Sequence, residues 1–169
     1  MLDARYEKIR EEGVIRSRAA VLVAIGIKLG RPALRAGNGS GQSGKPVQLG
    51  EFLLDLRQRG LRSVELVISD DHAGLRSAIE EVLAEAAWQR CYVHFLRNAL
   101  DHLPRKGDDD CLTELRWLYD RRNLQEARHD LAAWLMKWSS RYPKLCDWVE
   151  ANIEQTRPFT VCPRPITSI

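Results

Sequence analysis

Ser69, Asp70 and Asp71 follow the apolar run "VELVI", and a Cys-x-x-His, from Cys91 to His94, follows a second run, "AAWQR". In both places the residue types and their spacing invite chemistry. Carboxylates at the end of a strand can hold a hard divalent cation through oxygen, the donor that Mg²⁺ prefers. They can equally start a helix, because Asp and Ser side chains accept backbone N–H groups at an N-cap, worth about 1 kcal/mol. One aspartate can cap while its neighbour faces a metal, so both readings stay open. A single carboxylate holds Mg²⁺ poorly, and a catalytic site draws a second from elsewhere in the chain. The candidate is Asp3, in "MLDARYEK". Read alone, Asp3 is a solvated residue near a frayed terminus, after a piece of apolar chain too short to count as a strand.

The Cys-x-x-His offers two ligands where structural zinc takes four. Cys111, Cys146 and Cys162 are separated from it by long stretches, and His102 falls on the following helix. Positions three apart on a strand point to opposite faces, so chelation requires the strand to end near Cys91 and a helix to start near His94. The alternative is structural, and it is the reading adopted: Cys91 as a small buried hydrophobe, His94 hydrogen-bonded to backbone or to a carboxylate, and no zinc.

These residues need elements to hold them. "SRAAVLVAIGI", a turn at "KLGR" and "PALRAG" read as a β-hairpin whose first strand is apolar on both faces. "GNGSGQSGKP" reads as a flexible loop. Leu49, Phe52, Leu53 and Leu56 have helical spacing, and the helix stops at Gly60. "VELVIS" is a buried strand, "HAGLRSAIEEVLAEA" a helix, "AAWQRCYV" the last strand, and "HFLRNALDHL" a helix with Leu96, Leu100 and Leu103 in line. Strands alternating with helices after a hairpin imply a mixed sheet with helices on its faces, an α/β class. Asp70 then lies at the carboxyl end of a strand, where open α/β sheets collect ligands. After "PRKGDDD" the pattern is helical only, and the tail "RPFTVCPRPITSI" has no helical pattern.

At 169 residues the chain can bury one ordinary core and a small appendage. A composition 44% hydrophobic and 29% charged argues against disorder. The longest apolar run, Ala19 to Ile27, falls far short of the ~20 residues of a membrane helix, so no membrane partner is expected. The N-terminal segment has no secretory h-region, which favours a reducing cytoplasm and free thiols. A net charge of +3 permits nucleic-acid binding without arguing for it. Arg57, Arg59 and Arg62 form one local cluster of cations, and Arg121 and Arg122 another.

Five stretches, "LDARYEKIRE", "AAVLVAIGI", "LRQRGL", "LVISDDHAGLRSAI" and above all "WQRCYVHFLRNAL", together resemble the Mutator-type transposases of bacterial insertion sequences. They occur in that family's order and cover most of residues 1 to 105. The resemblance implies an RNase H-like mixed sheet with flanking helices over 1–105, a helical insertion over 106–157, and an irregular tail over 158–169. It implies an Asp-Asp-Glu enzyme in which Asp3 and Asp70 are catalytic and bind Mg²⁺ or Mn²⁺, with Cys91 and His94 as a supporting motif. It implies DNA as a partner, and a homo-oligomer or an intact transposase as a protein partner; the charge cluster of Arg57, Arg59 and Arg62 offers DNA a weak, salt-sensitive contact. The family's third carboxylate lies in a Thr-Asn-x-x-Glu-Arg-like segment after the insertion. This sequence contains no such segment, and no motif promotes Glu150 or Glu154 to the role. The resemblance therefore implies a chain truncated at both ends, with most of the first core strand missing. Two functions follow from it: metal-dependent DNA cleavage and transfer, or an inactive remnant that binds DNA or an intact transposase.

Overall fold

A computed structural model describes residues 1–11, 14–26, 34–42, 46–104, 109–121 and 123–156. The chain divides into two compact units, 1–88 and 89–169.

In the first unit, β1 (Leu2–Glu11), β2 (Val14–Gly26) and β3 (Leu34–Gln42) form an antiparallel sheet in the order β1-β2-β3. The pairing runs from Leu2 opposite Ala24 to Glu11 opposite Val14, and from Ala19 opposite Gln42 to Gly26 opposite Leu34. Each ladder carries one irregularity, beside Glu7 and Lys8 and beside Ala24 and Ile25. The N-terminal ammonium donates to the Ile25 carbonyl at 2.8 Å, and the Ile25 N–H returns a bond to Met1 at 2.9 Å.

Two expectations are corrected here. The apolar piece before Asp3, too short to count as a strand by itself, belongs to β1, which is ten residues long, with Asp3 as its second residue. Its "LDARYE" alternates apolar and polar side chains, the period of a strand. The expected loop "GNGSGQ" is instead the larger part of β3. A ladder is built from backbone groups, so glycines opposite β2 pair as well as any residue, at a cost in entropy. The remainder of that loop, 43–45, lies outside the described residues.

The helix α1 (Pro46–Gln58) buries Leu49, Phe52, Leu53 and Leu56. It ends as the sequence predicts, at Gly60, whose φ of +105° suits a residue with no Cβ. β4 (Leu66–Ser69) is the core of the predicted strand, and α2 (Ala73–Val82) follows with Leu75, Ala78, Ile79 and Val82 buried. β5 (Ala87–Arg90) pairs with β4 in a two-stranded sheet and carries the chain into the second unit. Leu2, Ala24, the α1 and α2 faces and Val67 share one hydrophobic core. Mixed strands with flanking helices give an α/β architecture.

The second unit is helical beyond Arg90. α3 (Tyr92–Ala99) tightens into a 3-10 turn at Leu100–His102; α4 (Asp109–Trp117), α5 (Leu124–Trp138) and α6 (Pro143–Asn152) follow. The last strand stops at Arg90, earlier than the apolar pattern suggests. The buried face of α3 is also corrected: Phe95 and Ala99 are buried, whereas Leu100 is 51% exposed. The 3-10 turn advances by three residues per turn and carries Leu100 off the helical stripe. Asn123 caps α5, accepting from the Glu126 N–H at 2.8 Å, and Pro143 opens α6. Phe95, Leu115, Leu145 and Val149 are fully buried in this unit's own core, each worth about 1.5–3 kcal/mol in burial. Among the described residues, no helix is long and apolar enough to cross a membrane.

Candidate functional site

The site begins at the end of β4. Leu66 to Ser69 alternate half-buried and buried side chains, with Val67 and Ser69 inward. Ser69 is fully buried, and its hydroxyl is used twice. It accepts from the Trp88 indole N–H at 2.9 Å and donates to the Asp70 backbone carbonyl at 2.8 Å. A buried hydroxyl left unpaired would cost about 1–3 kcal/mol, so this pairing fixes both the serine and the peptide that follows.

The two aspartates part company after that peptide. Asp71 forms an ion pair with Arg76 of α2, Nη1 to Oδ1 at 3.2 Å, and the same guanidinium lies 4.3 Å from the centroid of the Trp88 ring. The half-buried Asp70 carboxylate forms no hydrogen bond or ion pair with the described residues. The expectation that Ser69, Asp70 or Asp71 caps the helix is corrected. The N-cap is His72, with extended backbone and no side-chain cap bond. The helix starts one residue too late for Asp71 to reach its N–H groups as a cap, and Arg76 takes that carboxylate instead.

Asp3 lies on β1 opposite Val23; its side chain lies outside the described part of the structure. Its neighbour Leu2 shares the hydrophobic core with Val67, at the middle of β4.

The Cys-x-x-His lies in the second unit. Cys91 is the N-cap residue of α3, half-buried, with a free thiol. The strand-to-helix break that chelation requires therefore exists, with His94 on the first turn of α3 and half-buried. Arg90 precedes them and is 3% exposed. Its guanidinium donates to Asn152 Oδ1 at 3.1 Å and lies over Trp148 and Phe95, 5.3 and 5.6 Å from their centroids. With the Asn98 amide oriented to satisfy both its ends, it accepts from Arg90 at 3.0 Å and donates to the His94 carbonyl at 3.2 Å. Sequence reading passed over Arg90, Trp88 and Arg76, and offered Ser69 only as a helix cap. A cation inside an apolar strand, and an indole in the same strand, are the signals that could have found two of them.

The three expected DNA-facing arginines are exposed, but each is partly committed. Arg57 donates to the Val82 carbonyl at 2.6 Å, Arg59 pairs with Asp55 at 3.3 Å, and Arg62 donates to the Arg57 and Leu61 carbonyls at 2.5 and 2.9 Å. Arg121 pairs with Asp130; Arg122 lies outside the described residues. Of the acidic residues on the last helical stretch, Glu154 pairs with Arg128 at 3.6 Å and Glu150 is exposed on α6. Among the described residues, no group of three or more His, Cys, Asp or Glu side chains could hold a metal ion.

Comparison with known proteins places this geometry. A family model described as "Transposase, Mutator family" matches residues 1–169. The chain is similar to the transposase for insertion sequence element ISRM5 of Rhizobium meliloti, 62% identical over 97% of this chain and 41% of that protein. It is 37% identical to the transposase for IS406 of Burkholderia multivorans, over 92% of this chain and 40% of the relative. It is 33% identical to the transposase for IS256 in transposon Tn4001 of Staphylococcus aureus, over 95% of this chain and 42% of the relative. The chain thus spans about two-fifths of the length of these relatives.

Proposed function

The chain belongs to the Mutator family of transposases, and we propose that by itself it is a catalytic-domain segment that binds DNA, or an intact transposase, without carrying out strand transfer. One observation carries this reading. The end of β4 offers a single uncommitted carboxylate, Asp70, because its neighbour Asp71 is tied to Arg76. Two-metal phosphoryl transfer needs several carboxylates around the ions, drawn from separate elements. DNA is the first expected partner. Arg57, Arg59 and Arg62 keep their charge while bonded to carbonyls and Asp55, and phosphate attraction acts on charge. Such contact gives non-specific affinity of about 10⁻⁴–10⁻⁶ M at physiological salt.

A second reading is favoured by the position of Asp70. In it, residues 1–105 are an RNase H-like core, 106–157 the helical insertion and 158–169 an irregular tail. Asp3 and Asp70 then stand side by side as catalytic carboxylates. The shared core of Leu2 and Val67 supports this, since it brings the Asp3 end of β1 to β4. Carboxylate oxygens are the donor type that Mg²⁺ or Mn²⁺ takes, so the residues fit the ion in kind, though two are too few to enclose a metal pair. When bound, the ion would supply activation of a water or a DNA 3′-hydroxyl and stabilisation of the leaving oxygen. Asp70 would hold the ion, Ser69 and Trp88 would hold the Asp70 peptide, and Cys91 and His94 would shape the helix start that follows β5.

Fluorescence anisotropy of a labelled DNA duplex, with rising salt, tests the first reading. Binding that weakens steeply with salt, and that falls further in Arg57→Gln with Arg62→Gln, is expected. No binding of DNA, together with no capture of a full-length Mutator-family transposase, would overturn it.

A further inference from the structure

We infer that Gln89, Arg90, Tyr119 and Thr156 form a clasp that shuts the helical unit on itself and couples its Cys-x-x-His turn to the end of its described helices. The chain enters this unit at Gln89, and the 3-10 turn Ile153–Thr156 ends its described part. The Gln89 amide donates to the Thr156 carbonyl at 3.2 Å across 67 positions of sequence, and Arg90 donates to Asn152 across 62. The Tyr119 and Thr156 hydroxyls are bonded to each other, and the Thr156 hydroxyl donates to the Ile153 carbonyl at 2.6 Å, so Tyr119 is the donor of the pair. Tyr119 in turn stacks on Tyr92, the first residue of α3, with ring centroids 3.4 Å apart. The Cys-x-x-His turn is tied in from its other side, because Asn98 joins Arg90 to the His94 carbonyl. Gln89, Arg90 and Thr156 are all buried. Burying polar groups is costly, and apolar side chains would close a helical bundle more cheaply. Directional bonds supply what apolar contact does not: they admit one register of entry against exit, where an apolar contact tolerates sliding.

Independent bonds predict that a substitution loosens its own surroundings and nothing else. A clasp predicts loss at the opposite end as well, because opening either end opens both. Native hydrogen exchange of the whole chain, resolved by peptide mass spectrometry, separates the two. Thr156→Val keeps the shape of the side chain and removes the hydroxyl. It should speed exchange of the amides of 91–96 by about tenfold, while amides of 128–136 in the middle of α5 exchange as in the parent. Thr156→Ser keeps the hydroxyl and should leave both ends protected. Gln89→Leu should act in the reverse direction, speeding exchange over 149–156 by about tenfold. If Gln89→Leu does not fold, Tyr119→Phe makes the same test: it removes one hydroxyl, leaves the ring on Tyr92, and should loosen 153–156 and 91–96 together. Exchange that rises only beside the substituted residue would overturn the clasp by showing separate bonds. Exchange that rises equally over α4, α5 and α6 would overturn it by showing a general loss of stability.

Discussion

After β4 the chain runs through Asp70 and Asp71 into α2, and after β5 it runs through Cys91 into α3. Both are short turns from strand to helix, and neither helix is capped by a side chain. Their charges are treated oppositely. At the first turn one carboxylate is neutralised by Arg76 and the other is left open. At the second, the cation Arg90 is drawn inside, against Phe95 and Trp148, and bonded to Asn152. A buried charge hydrogen-bonded within the fold serves packing, because any outside ligand would have to displace those bonds. A half-buried charge without them is available to a ligand. The two turns thus differ: the first leaves the Asp70 carboxylate open, and the second draws the Arg90 cation into the helical unit's core.

The largest effects should fall on the second turn. Phe95→Ala should cost about 3–5 kcal/mol, since the ring is fully buried and stacked on Trp148 at 4.8 Å. Arg90→Ala should cost about 3 kcal/mol by stranding Asn152 and removing the guanidinium packed against the stacked Phe95 and Trp148 rings. Both are read by urea unfolding with tryptophan fluorescence. Asp70→Asn should lie within about 0.5 kcal/mol of the parent in the same assay. An Asp70→Asn loss equal to that of Arg90→Ala would erase the contrast.

Gly60→Ala sharpens the comparison inside the first unit. A side chain at a φ of +105° is strained although nothing lies within 4 Å of its Cβ, so a loss of about 1 kcal/mol is expected from backbone alone.

The smallest effect concerns a surface pair in the helical unit. The Lys137 ammonium donates to Glu114 at 2.5 Å and the Trp138 indole N–H donates to the same carboxylate at 2.9 Å, and together these bonds hold the Glu114 carboxyl below its ordinary value. A depressed folded value means stability that is present above the unfolded value of about 4.3 and is lost as pH falls through the folded one. The pair is open to solvent, so Glu114→Gln should cost only about 0.5 kcal/mol at neutral pH. Its melting temperature should also change less between pH 5 and pH 3 than the parent's, both values being chosen about the carboxylate range. An unchanged acid limb would show that the pair contributes nothing.

How much of this was legible in advance follows the local physics. The helices α1, α2, α5 and α6 could be read because their buried faces repeat at helical spacing. β4 and β5 were found but drawn too long, β4 at its start, where Val64 extends the apolar run, and β5 mainly at its end, where Tyr92 and Val93 extend it into α3. β1 was missed although Leu2, Ala4 and Tyr6 alternate with Asp3, Arg5 and Glu7. β3 was read only over "PALRAG", for the opposite reason, since "GNGSGQ" has no strand pattern and is held by its partner's backbone. At the site, Asp70 could be read from its place at a strand end. The roles of Ser69, Trp88 and Arg76 could not, because Trp88 meets Ser69 across 19 residues of chain and no spacing rule joins them.

The account stands most directly on a strand-transfer assay with this chain alone, Mg²⁺ or Mn²⁺, and DNA carrying the element's ends. No joined or cleaved product is expected. Removing a group that stabilises a phosphoryl transition state costs several kcal/mol, about 1.4 kcal/mol for each tenfold in rate, and on the proposed reading a site of Asp3 and Asp70 alone lacks at least one such group. Metal-dependent product that disappears in Asp70→Ala would contradict this. It would show that a further carboxylate, such as Glu150 or Glu154, completes the site and that the chain is a catalyst in its own right.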